Sequence, residues 1–140
     1  MDTRIILAIT VMIIILVIIL FVVVNIGGRR IDISKRTEIL KRLEELGLAT
    51  GSLEGSTRRD AVVKLDNLLS KALQIKYNNT LSCGDNLKKA KDFFSKKDYN
   101  DLWNVHKIRN SIVHDDYEIN EEEADEVFKI YKSNIIKILK

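Results

Sequence analysis

The 140 residues contain no proline, and their only cysteine is Cys83. Without proline nothing forces a helix to stop or kink, and no stretch alternates apolar and polar residues for long, so the expected fold is all-α. One thiol cannot close an internal disulfide, which excludes the stapled scaffolds of the extracellular space and fits the reducing side of a membrane. A Gly-rich phosphate loop and a nucleophile elbow are both missing. Neither carboxylates nor thiols stand at ligand spacing around the histidines, and His106 and His114 are about two helical turns apart, too far to share an ion. No metal and no cofactor is therefore expected.

Charge is absent from residues 5–24, where Thr10 is the only polar interruption. About 20 apolar residues at 1.5 Å each span a bilayer's hydrocarbon core, and a hydroxyl at Thr10 can bond back to its own helix. A secretory signal peptide is the competing reading. The run is longer than an ordinary h-region, however, and Asn25-Ile26-Gly27-Gly28 offers no cleavage site, so an uncleaved anchor is expected. Arg4 and Asp2 precede the run, whereas Arg29, Arg30, Lys35, Arg36, Lys41 and Arg42 follow it. That bias predicts a single-pass integral membrane protein with its N-terminus outside and its C-terminal domain cytoplasmic.

Three segments are expected: an anchor over 1–28, a basic juxtamembrane helix and linker over 29–56, and a helical bundle over 57–140. In the second, Ile39, Leu40, Leu43 and Leu46 form one amphipathic stripe over 34–46, which would lie on anionic headgroups, pair with a copy of itself or simply extend the anchor. Gly47 offers a stop, and glycines at 47, 51 and 55 read as a flexible linker. In the third, Thr57 with Asp60 opens a helix seamed by Ala61, Leu65, Leu68, Ala72 and Ile75, which Asn78 and Asn79 end. Ser82 with Asp85 starts a shorter helix burying Leu87, Ala90 and Phe94 and closing at Lys96 and Lys97. Asn100 then caps a helix running to about His114. Asn120 with Glu123 opens the last, seamed by Ala124, Val127, Tyr131, Ile135 and Ile138. Short connections make neighbours antiparallel, predicting an up-down four-helix bundle. About 80 residues give a small core, so a homodimer is expected, helped by confinement to the membrane.

At about 100° per residue, Leu102, Val105, Ile108, Ile112 and Val113 form an apolar arc that contains Arg109. A guanidinium on a packed face needs a carboxylate, a phosphate or a subunit interface. Trp103, Asn110 and His114 share a strip at the edge of that arc, where Asn110, one turn from His114, can orient the imidazole. Charge for phosphate, histidine for proton transfer and indole for base stacking would suit RNA. Plainer roles exist for each: an ion pair for Arg109, a helix end for His114, the core for Trp103. Residues 58–107 hold eleven Lys or Arg against six acids, whereas 115–126 hold eight acids and no base. Charge runs of this kind are commonly just solvated faces.

From about Arg58 to Leu139, the helical pattern with Leu102-Trp103, His106-Lys107-Ile108-Arg109-Asn110 and Ile112-Val113-His114 resembles a HEPN domain. The signature of that family is an Arg, commonly followed by Asn, then a His after four to six positions, and Arg109, Asn110 and His114 fit it. The resemblance implies a metal-independent endoribonuclease acting as a dimer, with Arg109, Asn110 and His114 catalytic and Trp103, His106 and Lys107 contacting RNA. One His114 would take the proton of a ribose 2′-hydroxyl and Arg109 would hold the phosphate, leaving 2′,3′-cyclic phosphate and 5′-hydroxyl ends. It also admits an antitoxin or other regulatory protein as partner, although the tyrosine that usually stands two positions after the histidine stands three after it here, as Tyr117. The alternative is a non-catalytic RNA- or protein-binding adaptor tethered to the membrane, which the acidic run beside His114 favours.

Overall fold

The computed structural model describes residues 2–140, except for the side chains of residues 25–32. Arg29 and Arg30, on which part of the expected orientation rests, lie outside the described side chains. The described residues are all-helical, in the order α1 (Thr3–Thr50), α2 (Gly55–Tyr77), α3 (Cys83–Lys89), α4 (Lys96–His114) and α5 (Glu121–Leu139). The chain divides into two compact units, Met1–Lys35 and Arg36–Lys140, and α1 contributes to both.

In the first unit, Thr3–Val24 is long and apolar enough to cross a membrane, and none of it is buried within the protein. Its 22 residues reach about 33 Å at 1.5 Å per residue, close to the thickness of a hydrocarbon core. Thr10 Oγ1 donates to the carbonyl of Ile6 at 2.8 Å, so the hydroxyl that interrupts the apolar run is satisfied by its own helix.

In the second unit, α2 packs against α3, α4 and α5, and α4 also touches α3 and α5. Fully buried Leu65, Leu69 and Leu73 of α2 meet Leu102 and Val105 of α4 and Val127, Tyr131 and Ile135 of α5 in one core. Each such leucine contributes about 2 kcal/mol of hydrophobic stabilisation. The expected seams of α2 and α5 are the buried ones, except that Ile75 is only partly covered.

The linker expected over 47–57 is replaced by structure. Helix α1 runs through Gly47 to Thr50, and Thr50 is buried with its hydroxyl on the Gly47 carbonyl at 3.0 Å. Gly47 is there for space rather than termination: a Cβ would sit 2.5 Å from Phe128 Cζ. Ile39 and Leu43 are buried in the core, Leu46 packs against it and Leu40 stays exposed, so most of the amphipathic stripe faces protein. Arg58 then ties down the turn, donating to the carbonyls of Ser52 at 2.7 Å, Leu53 at 2.9 Å and Ile119 at 3.0 Å.

Helix starts differ from expectation at two places. α2 begins at Gly55, and the carboxylate of its N-cap Glu54 accepts from the Ser56 and Thr57 hydroxyls rather than Thr57 capping the helix itself. α3 ends at Lys89 and α4 starts at Lys96 with Ser95 as cap, its Oγ accepting from the Asp98 amide at 3.1 Å and donating to Asp98 Oδ2 at 2.7 Å. That reciprocal pair satisfies two polar groups at once, which Asn100, five residues further on, would leave bare. Ser82 with Asp85 and Asn120 with Glu123 cap α3 and α5 as expected, and Asn78 takes the left-handed conformation (φ 47°) that ends α2.

Candidate functional site

The site begins with a carboxylate where an apolar residue would be expected. On α2, Asp66 lies at helical spacing from Val62, Leu69 and Leu73 and is only 3% exposed. An isolated charge there would be costly, so the surrounding helices supply partners. His106 Nδ1 from α4 lies 2.8 Å from Asp66 Oδ1, and the Tyr131 hydroxyl from α5 donates to the same oxygen at 3.1 Å. The Cys83 thiol, at the first position of α3, approaches that oxygen at 3.7 Å. Arg109 Nε faces the other oxygen, Oδ2, at 3.6 Å.

Groups from α3, α4 and α5 therefore converge on one carboxylate of α2. Spacing explains the two groups from α4, because His106 and Arg109 are three residues apart and share a face. Burial raises the Cys83 thiol pKa, and the negative Asp66 raises it further, so the proton stays on sulfur. Burial and Asp66 likewise push Tyr131 well above the ordinary phenol value, keeping its hydroxyl a donor.

Of the expected substrate-binding residues, His106 is committed to Asp66 through Nδ1 and is mostly covered. Trp103 is half-buried against the core, with its ring edge-on to His106 (centroids 5.8 Å apart) and to Tyr99 (6.3 Å). The close approach of α3 is made at Gly84, where a Cβ would meet His106 Nε2 and Trp103 Cη2 at 3.8 Å each. Lys107 is exposed.

Of the expected catalytic residues, Arg109 is the one brought inward, its side chain 25% exposed, and its Nη1 donates to Asn110 Oδ1 at 2.9 Å. Asn110 is thus bonded to its neighbour Arg109, and among the described residues no hydrogen bond joins it to His114. His114 is the exposed last residue of α4. His114 is five positions after Arg109, about 140° around the helix and about 7.5 Å along it, so the two do not converge within one chain. Val113 is 47% exposed, which removes it from the apolar arc and leaves an apolar side chain beside His114.

The acidic run is partly neutralised within the fold. Glu118 pairs with Arg59, Glu121 lies 3.9 Å from Arg58, and Glu123 accepts from the Tyr117 hydroxyl at 2.9 Å. That last bond raises the Tyr117 pKa.

Sequence spacing around the histidines did not point to Asp66, Cys83 or Tyr131, which lie on three other helices. One signal for Asp66 was there to read: an acid at i+4 from Val62 and i−3 from Leu69, inside an apolar stripe. No protein-family model, curated protein or solved structure matches the chain.

Proposed function

We propose that the chain is a membrane-anchored, HEPN-like protein: a four-helix unit carried by one membrane span, facing the cytoplasm, that cleaves RNA without a metal when two copies meet. The observation that carries this reading is the fixed Arg109. An ion pair to Asp66 at 3.6 Å and one hydrogen bond to Asn110 orient its guanidinium, and the side chain remains partly exposed. A prepositioned cation is what a phosphate in transition needs, because no reorganisation is required at the moment of reaction.

His114, exposed at the end of the same helix, supplies the proton transfer. It takes the 2′-hydroxyl proton as that oxygen attacks the adjacent phosphorus, and the 5′-oxygen leaves with a proton from a second acid, the other copy's imidazole. The separation of Arg109 and His114 on one helix is the reason a second copy is needed: the pair is completed across an α4 contact that would cover Val113. Trp103 supports His106 in this scheme and does not stack on a base.

A second reading has a specific observation behind it. Asp115 and Asp116 directly follow His114, and the charge of Arg109 is already matched by Asp66, which together suit a non-catalytic adaptor that holds RNA or protein at the membrane. The test is a gel assay of the purified full chain in detergent on labelled single-stranded RNA in EDTA, beside Arg109→Ala and His114→Ala at matched oligomeric state. Cleavage that both substitutions abolish supports the nuclease. RNA retained uncut by a folded dimer sinks it in favour of the adaptor.

A further inference from the structure

The point where Cys83, His106 and Asp66 meet carries more than a hydrogen-bonded network requires. Their donor atoms, one thiol sulfur, one imidazole nitrogen and one carboxylate oxygen, all lie within 4.8 Å of one another. They come from three helices, α3, α4 and α2, and Cys83 and Asp66 are buried. We propose that Asp66, Cys83 and His106 form a divalent-metal site of the zinc class.

The chemistry of the set selects the ion. Sulfur with imidazole and a single carboxylate oxygen is a borderline-soft set that suits Zn²⁺ and is a poor match for Mg²⁺ or Ca²⁺, which take oxygen shells. The distances agree. Tetrahedral zinc with ordinary bond lengths places its oxygen and nitrogen ligands about 3.3 Å apart, and its oxygen and sulfur ligands about 3.5 Å apart. Here Asp66 Oδ1 is 2.8 Å from His106 Nδ1 and 3.7 Å from Cys83 Sγ, each within about half an ångström of those values, and sulfur and imidazole lie within 4.8 Å of each other.

The supporting groups are also in place. Oδ1 faces the trio while Oδ2 faces Arg109 Nε at 3.6 Å, so coordination through Oδ1 leaves the Arg109 ion pair intact. Tyr131 donates to Oδ1 at 3.1 Å, and the edge of Trp103 fixes the plane of the His106 ring, as outer-shell groups do around metal sites. On binding, the Cys83 thiol gives its proton to solvent, the hydrogen that His106 Nδ1 shares with Asp66 Oδ1 also leaves Nδ1, and the ring coordinates through that nitrogen as the tautomer protonated on Nε2, exchanging protons with solvent. Water completes the shell. The ion would tie α2, α3 and α4 together behind Arg109, a stabilising role independent of RNA cleavage, which proceeds in EDTA if the nuclease reading holds.

The test is titration of the full chain in detergent with Co²⁺, followed by competition with Zn²⁺. The expected result is one equivalent bound, a near-ultraviolet sulfur-to-cobalt charge-transfer band that Zn²⁺ displaces, and a rise in Tm with added Zn²⁺. Cys83→Ser, checked for helix content by circular dichroism, should lose the band, and His106→Gln should weaken cobalt binding by about a hundredfold or more, beyond what loss of an outer-shell group does. A folded wild-type chain that shows no band at one equivalent overturns the site whether or not the variants fold. So does a band that survives in Cys83→Ser.

Discussion

Helix α4 presents Arg109 and His114 to opposite surroundings. At Arg109 the helix face is closed: a buried carboxylate from α2 stands 3.6 Å from Nε as an ion pair, Asn110 accepts from Nη1, and His106 one turn earlier is held by the same carboxylate. At His114 it is open, with the imidazole exposed, Val113 exposed beside it and a left-handed Asp116 turning the chain away. Arg109 is anchored inside the fold, whereas His114 stands free at the helix end. The two should therefore have different mutational signatures: a stability cost around Arg109, little at His114, and, on the proposed reading, lost chemistry there.

The largest expected effect comes from breaking the closed face. Asp66→Ala leaves Arg109 without its carboxylate and Tyr131 and His106 without their acceptor, and should cost about 3 kcal/mol, toward the low end for a broken buried pair because Arg109 is partly solvated. Urea unfolding followed by circular dichroism measures it. Leu43→Ala should cost a comparable amount, about 2 to 3 kcal/mol, if the part of α1 from Arg36 onward belongs to the core as described. A cost below about 0.5 kcal/mol would return that segment to a juxtamembrane helix separate from the core.

Smaller effects sharpen the contrast. Tyr131→Phe removes a single donor to a charged acceptor and should lower stability by about 1.5 kcal/mol, less than Asp66→Ala, since His106 still serves the oxygen. Ser95→Ala should cost about 1 kcal/mol by uncapping α4, whereas Asn100→Ala, read in the same unfolding experiment, should cost well under that. His114→Ala completes the series, with a stability change within about 0.5 kcal/mol and, on the nuclease reading, complete loss of cleavage.

Much of the helical pattern was legible because it rests on local chemistry. The Ser82 and Asn120 caps, the seam of α5 and the apolar run that could cross a membrane each depend on residues within a few positions of one another. Local sequence misleads where a tertiary contact decides. Gly47 looked like a stop because glycine commonly ends helices, and only the Phe128 ring from α5, brought against it by folding, shows that it serves packing. Lys96 and Lys97 looked like a helix end, and Ser95 with Asp98 overrides them. At the candidate site, Arg109 was visible as a charge on an apolar arc, but its partner lies 43 positions earlier on another helix. Asp66 could have been found by the converse question, which acid also sits on an apolar stripe. Cys83 and Tyr131 offered no such signal, being an ordinary buried thiol and an ordinary seam aromatic until the fold turns both toward one oxygen.

On the proposed reading, the open end of α4 becomes a catalytic site only when two copies meet. The most direct test is the initial rate of RNA cleavage in EDTA by the full chain, measured as detergent dilution takes it from dimer to monomer, with oligomeric state read by light scattering on the same samples. The expected rate follows the dimer fraction and vanishes with it, giving 2′,3′-cyclic phosphate ends. A monomer that cuts at the same rate per chain, or a folded dimer that leaves RNA intact, would contradict that reading.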